Sequence, residues 1–229
     1  MMIGAVYGEG RQRIVDVVSG LTDEEANAPV PACPGWTVID VLAHVTGVCA
    51  DILAGNLDGV ATDPWTEVQV AARRGCTIDD LVAEWSETAP QCEAMAEHFP
   101  ERAAVQWVTD LTSHEHDIRG ATMQSGGRDT AAVEVGLDFV LTAGVNESIS
   151  THGLAPLEVH AGDRSWTVGP PDIVCDATLE GSAFELLRAF TGRRSITQLR
   201  RLNWSVDPEP YLPAFAYGPF TVSPIDINE

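Results

Sequence analysis

The stretch TDLTSHEHDIRGA, Thr109 to Ala121, sets two histidines and three carboxylates within eight residues of a chain that holds only six histidines in all. Imidazole and carboxylate are donors for divalent transition ions. On a helix turning about 100° per residue, Asp110, His114, Asp117 and Ala121 share roughly a 60° arc. Trp107, Leu111 and Ile118 lie immediately beside it, so the polar trio borders an apolar stripe that should face a core. Glu115 and His116 point away and read as solvated, and His98, His152 and His160 as surface or turn residues. An i, i+4 spacing lets Asp110 and His114 aim donor atoms at one point, the way helical bundles build metal sites inside themselves. Another helix must complete the set. His44 is the candidate, one turn from both Val41 and Val48 on the shoulder of its own apolar stripe. Two imidazoles and one carboxylate suit zinc and leave positions for water or a substrate atom; nickel, iron and manganese accept the same donors. Asp117 is then a fourth ligand, an orienting group or a proton acceptor. The plain alternative is an ordinary Asp110–His114 ion pair and a core histidine at 44.

Helices must carry these residues. A short amphipathic segment covers about 6–20 and stops at Gly20. In PACPGWTVIDVLAHVTGVCADILAG, Thr37 caps a helix with Asp40 three residues on, and Gly55 ends it. Residues 56–75, with Gly, Pro and Asp, read as a long crossover. Thr77 with Asp80 opens a further helix in which Pro90 predicts a kink or break. Pro100 precedes the helix of the opening motif, and Asp129 or Thr130 caps another that runs to about His152. After Gly153 the pattern alternates: LEVHAGDRSWTV predicts a hairpin, DIVCDATLEG a strand, and SAFELLRAFTGR and SITQLRRL two helices. The expectation is a mainly α protein: a helical bundle over residues 1–154, then a small α+β domain over 155–229.

Composition narrows the chemistry. The net charge of −21 disfavours nucleic acid and anionic membrane as partners. All 13 basic residues are arginine, which removes Schiff-base lysines and phosphate-loop lysines. The five cysteines are scattered, form no Cys-x-x-Cys, and are expected as free thiols, with Cys33 and Cys49 filling space. No Gly-x-Ser-x-Gly occurs. No apolar run nears the roughly 18 residues of a membrane span, and the first residues lack a secretion pattern, so a cytoplasmic location is expected.

PACPGWTVIDVLAHVTG resembles the signature of the mycothiol-dependent maleylpyruvate isomerase family, within the DinB-like metal-binding superfamily. Its Pro-Gly-Trp-Thr-Val segment is matched by Pro34 to Val38 and its Ala-His pair by Ala43 and His44. A later Glu-x-x-x-His-x-x-Asp helix is matched by Asp110, His114 and Asp117, with aspartate in place of the usual glutamate. The resemblance implies a DinB-like four-helix bundle in which His44, Asp110 and His114 hold a divalent metal, usually zinc. It also implies a C-terminal domain of sterol-carrier-protein-like character, echoed by LEGSAFELLRAFTGRR. The activity implied is activation of a low-molecular-weight thiol, mycothiol, for addition to an electrophilic small molecule. Thiolate addition, bond rotation and thiolate departure give isomerisation; release of the adduct gives S-transfer. By the same resemblance Arg193 holds an anionic substrate, with Arg194 and Arg119 as substitutes. A metal-dependent hydrolase with Asp117 as base, and a metal- or ligand-binding protein without turnover, are the rival readings.

Overall fold

The computed structural model describes residues 2–229. Its first half runs through α1 (Ile3–Val18), the single turn α2 (Asp23–Ala26), α3 (Val38–Ala54), α4 (Asp63–Ala72), α5 (Ile78–Met95) and α6 (Glu101–Ala121). Helices α1 and α3 each pack on both α5 and α6, which closes a four-helix bundle. Tyr7, Ile14, Leu42, Cys49, Leu81, Trp85, Leu111 and Ile118 fill its buried centre. Removing such side chains from water, at roughly 1.5–3 kcal/mol each, holds the helices together.

Local chemistry sets the helix ends. The Thr37 amide and hydroxyl both donate to Asp40 Oδ2, at 2.9 and 2.7 Å, starting α3. Thr77 and Asp80 repeat the arrangement at α5. Gly55 closes α3 at φ +70°, a left-handed conformation that glycine adopts without a Cβ penalty.

Two expectations along the bundle fail. Helix α5 passes through Pro90 unbroken to Met95, because Leu81, Trp85, Ala89 and Cys92 all lie on its buried face and the one missing hydrogen bond does not outweigh that packing. Residues 56–75 are not a bare crossover, since they hold α4, opened by Asp63-Pro64. Trp65 and Gln69, one turn apart, with Val70 beside them, turn its buried face onto α3.

Contacts divide the chain into two compact units, the first ending at Gly127 and joined by Glu229, the second spanning Arg128–Asn228. The expected division near residue 154 falls inside the second. There α7 (Ala131–Val140), a π-helical turn (Leu141–Val145) and α8 (Asn146–Thr151) precede a four-stranded sheet of order β2-β1-β3-β4. Strand β1 (Leu157–Ala161) pairs antiparallel with β2 (Arg164–Val168) and parallel with β3 (Ala177–Glu180), which pairs antiparallel with β4 (Asn203–Trp204). Helices α9 (Ala183–Phe190) and α10 (Ile196–Arg200) complete the unit. Leu137 and Leu141 share a core with Val159, Leu179, Leu187, Phe190 and Phe215. Helix α7 thus buries its apolar face against α9 in the core of its own unit. Among the described residues no helix is long and apolar enough to cross a membrane.

Candidate metal centre

Helices α3 and α6 bring His44, Asp110 and His114 together. Their donor atoms all lie within 4.8 Å of one another. His44 Nε2 is 3.3 Å from Asp110 Oδ2, and His114 Nε2 is 3.6 Å from Asp110 Oδ1. Ligands bonded at about 2.0–2.1 Å around a tetrahedral zinc stand roughly 3.3–3.5 Å apart, so the spacing fits. The short aspartate side chain reaches both imidazoles. His44 and His114 are buried, whereas the Asp110 side chain keeps 37% of its surface exposed and forms the open edge of the cluster.

The hydrogen bonds behind the two imidazoles decide which nitrogens face the cluster. Gln69 Nε2 donates to Asp51 Oδ2 at 2.7 Å, which turns Gln69 Oε1 toward His44 Nδ1, also at 2.7 Å. Nδ1 of His44 must therefore carry a proton, and Nε2 is the nitrogen turned toward Asp110. His114 Nδ1 lies 3.0 Å from Asp117 Oδ2. A carboxylate only accepts, so here too Nδ1 carries a proton, and Nε2 is the nitrogen turned toward Asp110. Two imidazole nitrogens and a carboxylate thus converge on one point, a donor set that suits a divalent cation. The titration of His44 registers this: burial acts most strongly and lowers its pKa, but the Asp110 charge and the hydrogen bonds to Asp110 and Gln69 raise it overall.

Aromatic rings enclose the cluster. Trp36, on the turn before α3, lies 5.5 Å from the His44 ring and 6.1 Å from that of His114, while Trp65 meets His44 edge-on at 6.5 Å. Trp65 and Gln69 both come from α4, the helix that sequence reading missed; an Asp-Pro start followed by apolar and amide residues one turn apart was the available signal. Its close seating depends on Gly47 of α3, where a Cβ would stand 2.7 Å from Gln69 Cβ and 2.8 Å from Arg73 Nη1. Arg73 in turn pairs with Glu84 of α5. Gly47→Ala is expected to lower stability by about 1–3 kcal/mol through overpacking and to weaken metal binding by dislodging Gln69. Thermal melts and metal titration of the variant check both effects.

Other site expectations need correction. Glu115 and His116, read as solvated, are 1% and 2% exposed. The reason for Glu115 is Arg13 of α1, which donates to its carboxylate at 2.8–3.0 Å, with Arg119 Nε donating at 3.0 Å. Cys33 is no mere space-filler either, since its thiol donates to Asp117 Oδ2 at 3.2 Å. Cys49 does sit in the core, 3.3 Å from the Tyr7 hydroxyl. Arg193 belongs to the second unit, where its Nη1 donates to Thr191 O at 2.7 Å. Of its substitutes, Arg194 forms a bidentate pair with Glu185 at 2.6 and 2.8 Å, and Arg119 serves Glu115.

The family model described as the mycothiol maleylpyruvate isomerase N-terminal domain matches residues 7–125, more than half of the chain and all three of His44, Asp110 and His114. The chain belongs to this family. Within the mycothiol maleylpyruvate isomerase family, a crystal structure of a histidine-to-alanine mutant of the mycothiol-dependent enzyme is similar to this chain with a TM-score of 0.57 at 12% identity, covering 90% of this chain and 92% of that one. A crystal structure of the mycothiol-dependent maleylpyruvate isomerase gives 0.51 at 14% identity over the same shares. At these identities the likeness is one of fold, and it extends past the bundle into the α+β unit. No curated protein sequence matches the chain at a significant level.

Proposed function

We propose that this member of the isomerase family binds a divalent cation, zinc, through His44, Asp110 and His114, and uses it to present mycothiol as a thiolate to an electrophilic small molecule. The reaction class is cis–trans isomerisation of an alkene conjugated to a carbonyl, as in maleylpyruvate, with S-transfer as the variant outcome. The observation that carries this reading is the pair of hydrogen bonds that the Nδ1 atoms donate to Gln69 and Asp117, which leaves both Nε2 atoms and a carboxylate facing one point. A bound dication supplies the positive charge that favours thiolate over thiol, and the thiolate is the nucleophile.

The chain's own residues do the rest. His44 and His114 are held at fixed angles by Gln69 and Asp117, so little reorganisation is needed on loading. Asp117, 1% exposed and accepting from both His114 and Cys33, acts as a positioning residue for His114. That assignment favours the thiol reading over hydrolysis with Asp117 as base, because its carboxylate is engaged behind the imidazole. Trp36 and Trp65 limit water around the cluster, and Asp110 marks the side from which a thiol enters. Arg193 is assigned to the carboxylate of an anionic substrate, which needs a local positive charge on a chain of net charge −21.

Calorimetric titration with mycothiol or a simpler thiol, with and without chelator, tests the proposal, alongside an absorbance assay for isomerisation of a cis-enoyl keto acid. Thiol binding that requires metal, and turnover that requires both, are expected. Hydrolysis without added thiol, or thiol binding indifferent to chelator, would overturn the reading. Arg193→Gln is expected to raise KM for the anionic substrate with metal content unchanged; loss of metal from that variant would refute its role.

A further inference from the structure

A second group of donors adjoins the cluster and uses the other nitrogen of His114. Cys33 Sγ lies 3.2 Å from Asp117 Oδ2 and 3.9 Å from His114 Nδ1, and Asp117 Oδ2 stands 3.0 Å from that nitrogen. Bonds of about 2.3 Å to thiolate and about 2.0–2.1 Å to nitrogen and oxygen put tetrahedral ligands roughly 3.3–3.6 Å apart, so the three atoms already outline one face of such a shell. Their carriers are well defined. The Cys33 amide donates to Val30 O, and the Trp36 amide donates to Cys33 O, both at 3.0 Å, while His114 and Asp117 sit on one turn of α6. His114 and Asp117 are buried and Cys33 is half-buried, which makes the thiol the accessible member.

We propose that Cys33, Asp117 and His114 Nδ1 form a second cation site, taking thiophilic divalent ions such as cadmium, and that filling it excludes metal from the first. Thiolate donors select soft ions, whereas the first site offers only nitrogen and oxygen. Binding releases the Cys33 thiol proton to solvent and moves the His114 proton from Nδ1 to Nε2, with no change in oxidation state. A neutral imidazole has one lone pair, so His114 serves one cation at a time. With Nε2 protonated, His114 can only donate toward Asp110, and the first site loses a ligand. The site is therefore a point at which soft metals inhibit, through tautomer exchange rather than through blockage.

Cadmium alone is the probe, which keeps the test independent of the thiol-transfer reading. The full chain, His44→Gln and Cys33→Ser are titrated while the ultraviolet thiolate-to-cadmium charge-transfer band is followed. Alkylation at each cysteine is mapped in parallel. His44→Gln, which lacks a first-site ligand, is expected to show the band saturating at one equivalent; Cys33→Ser is expected to lose it. In the unsubstituted chain cadmium is expected to abolish alkylation of Cys33 while labelling of Cys76 and Cys175 continues. A band that persists in Cys33→Ser, or unchanged Cys33 labelling in the unsubstituted chain, overturns the proposal. The labelling arm decides the matter should His44→Gln fail to fold.

Discussion

His114→Ala is expected to abolish metal uptake and, with it, all thiol-dependent turnover, in a protein that keeps its helical circular dichroism. His114 supplies Nε2 to the cluster and its Nδ1 proton to Asp117, so its loss removes a ligand and an anchor together. The Asp117 carboxylate retains the Cys33 thiol as a donor, which limits the folding cost to about 1–3 kcal/mol. Gln69→Ala provides the graded comparison: it removes only the group that orients His44, and the expected loss in metal affinity is roughly 10–100-fold. Metal analysis of the purified variants separates the two, and a full equivalent of metal in His114→Ala would sink the assignment. Acid should mimic the substitution. The pKa of His44 lies above its ordinary value in the metal-free protein, so protons compete for Nε2 below that raised pKa. Affinity falls as pH drops through it and is recovered above it.

Glu115→Ala carries the largest expected loss of stability. Its carboxylate, 1% exposed, receives a bidentate Arg13 and Arg119 Nε, which joins α1 to α6 on the face opposite the metal ligands. Truncation leaves two guanidinium groups without their common anion, a kind of change that costs about 3–5 kcal/mol when the partners are buried. The Arg13 and Arg119 side chains keep 22% and 13% of their surface exposed, and solvent screening places the effect at the lower end of that range. At roughly 2–4 °C per kcal/mol for a chain of this size, the melting temperature should fall visibly. Urea unfolding checks the value; a midpoint within error of the parent would show that the three charges contribute no net stability.

The convergence of His44, Asp110 and His114 was legible in the sequence because these residues obey helical spacing: an i, i+4 pair beside an apolar stripe, and one histidine on the shoulder of another. The capping boxes at Thr37 and Thr77 were legible for the same reason, being local. The supporting groups were hidden because they depend on packing between distant segments. Gln69 looks like any polar residue in a loop until Gly47 lets α4 approach α3. Glu115 looks solvated on a wheel because nothing in its own helix announces that Arg13, a hundred residues earlier in the chain, arrives to neutralise it. Cys33 lies in a turn whose path across His114 is set by tertiary contacts. The contact division at Gly127 differs from the expected one for a related reason: α7 is apolar on the face that meets α9, and periodicity reveals that a face is buried without revealing against what.

Trp36 and Trp65 stand beside the imidazole of His44. The protein therefore carries a built-in optical gauge. Nickel or copper entering between His44 and His114 should dim emission from this pair most strongly, so occupancy can be followed in real time by the light the molecule already emits, without dye or label.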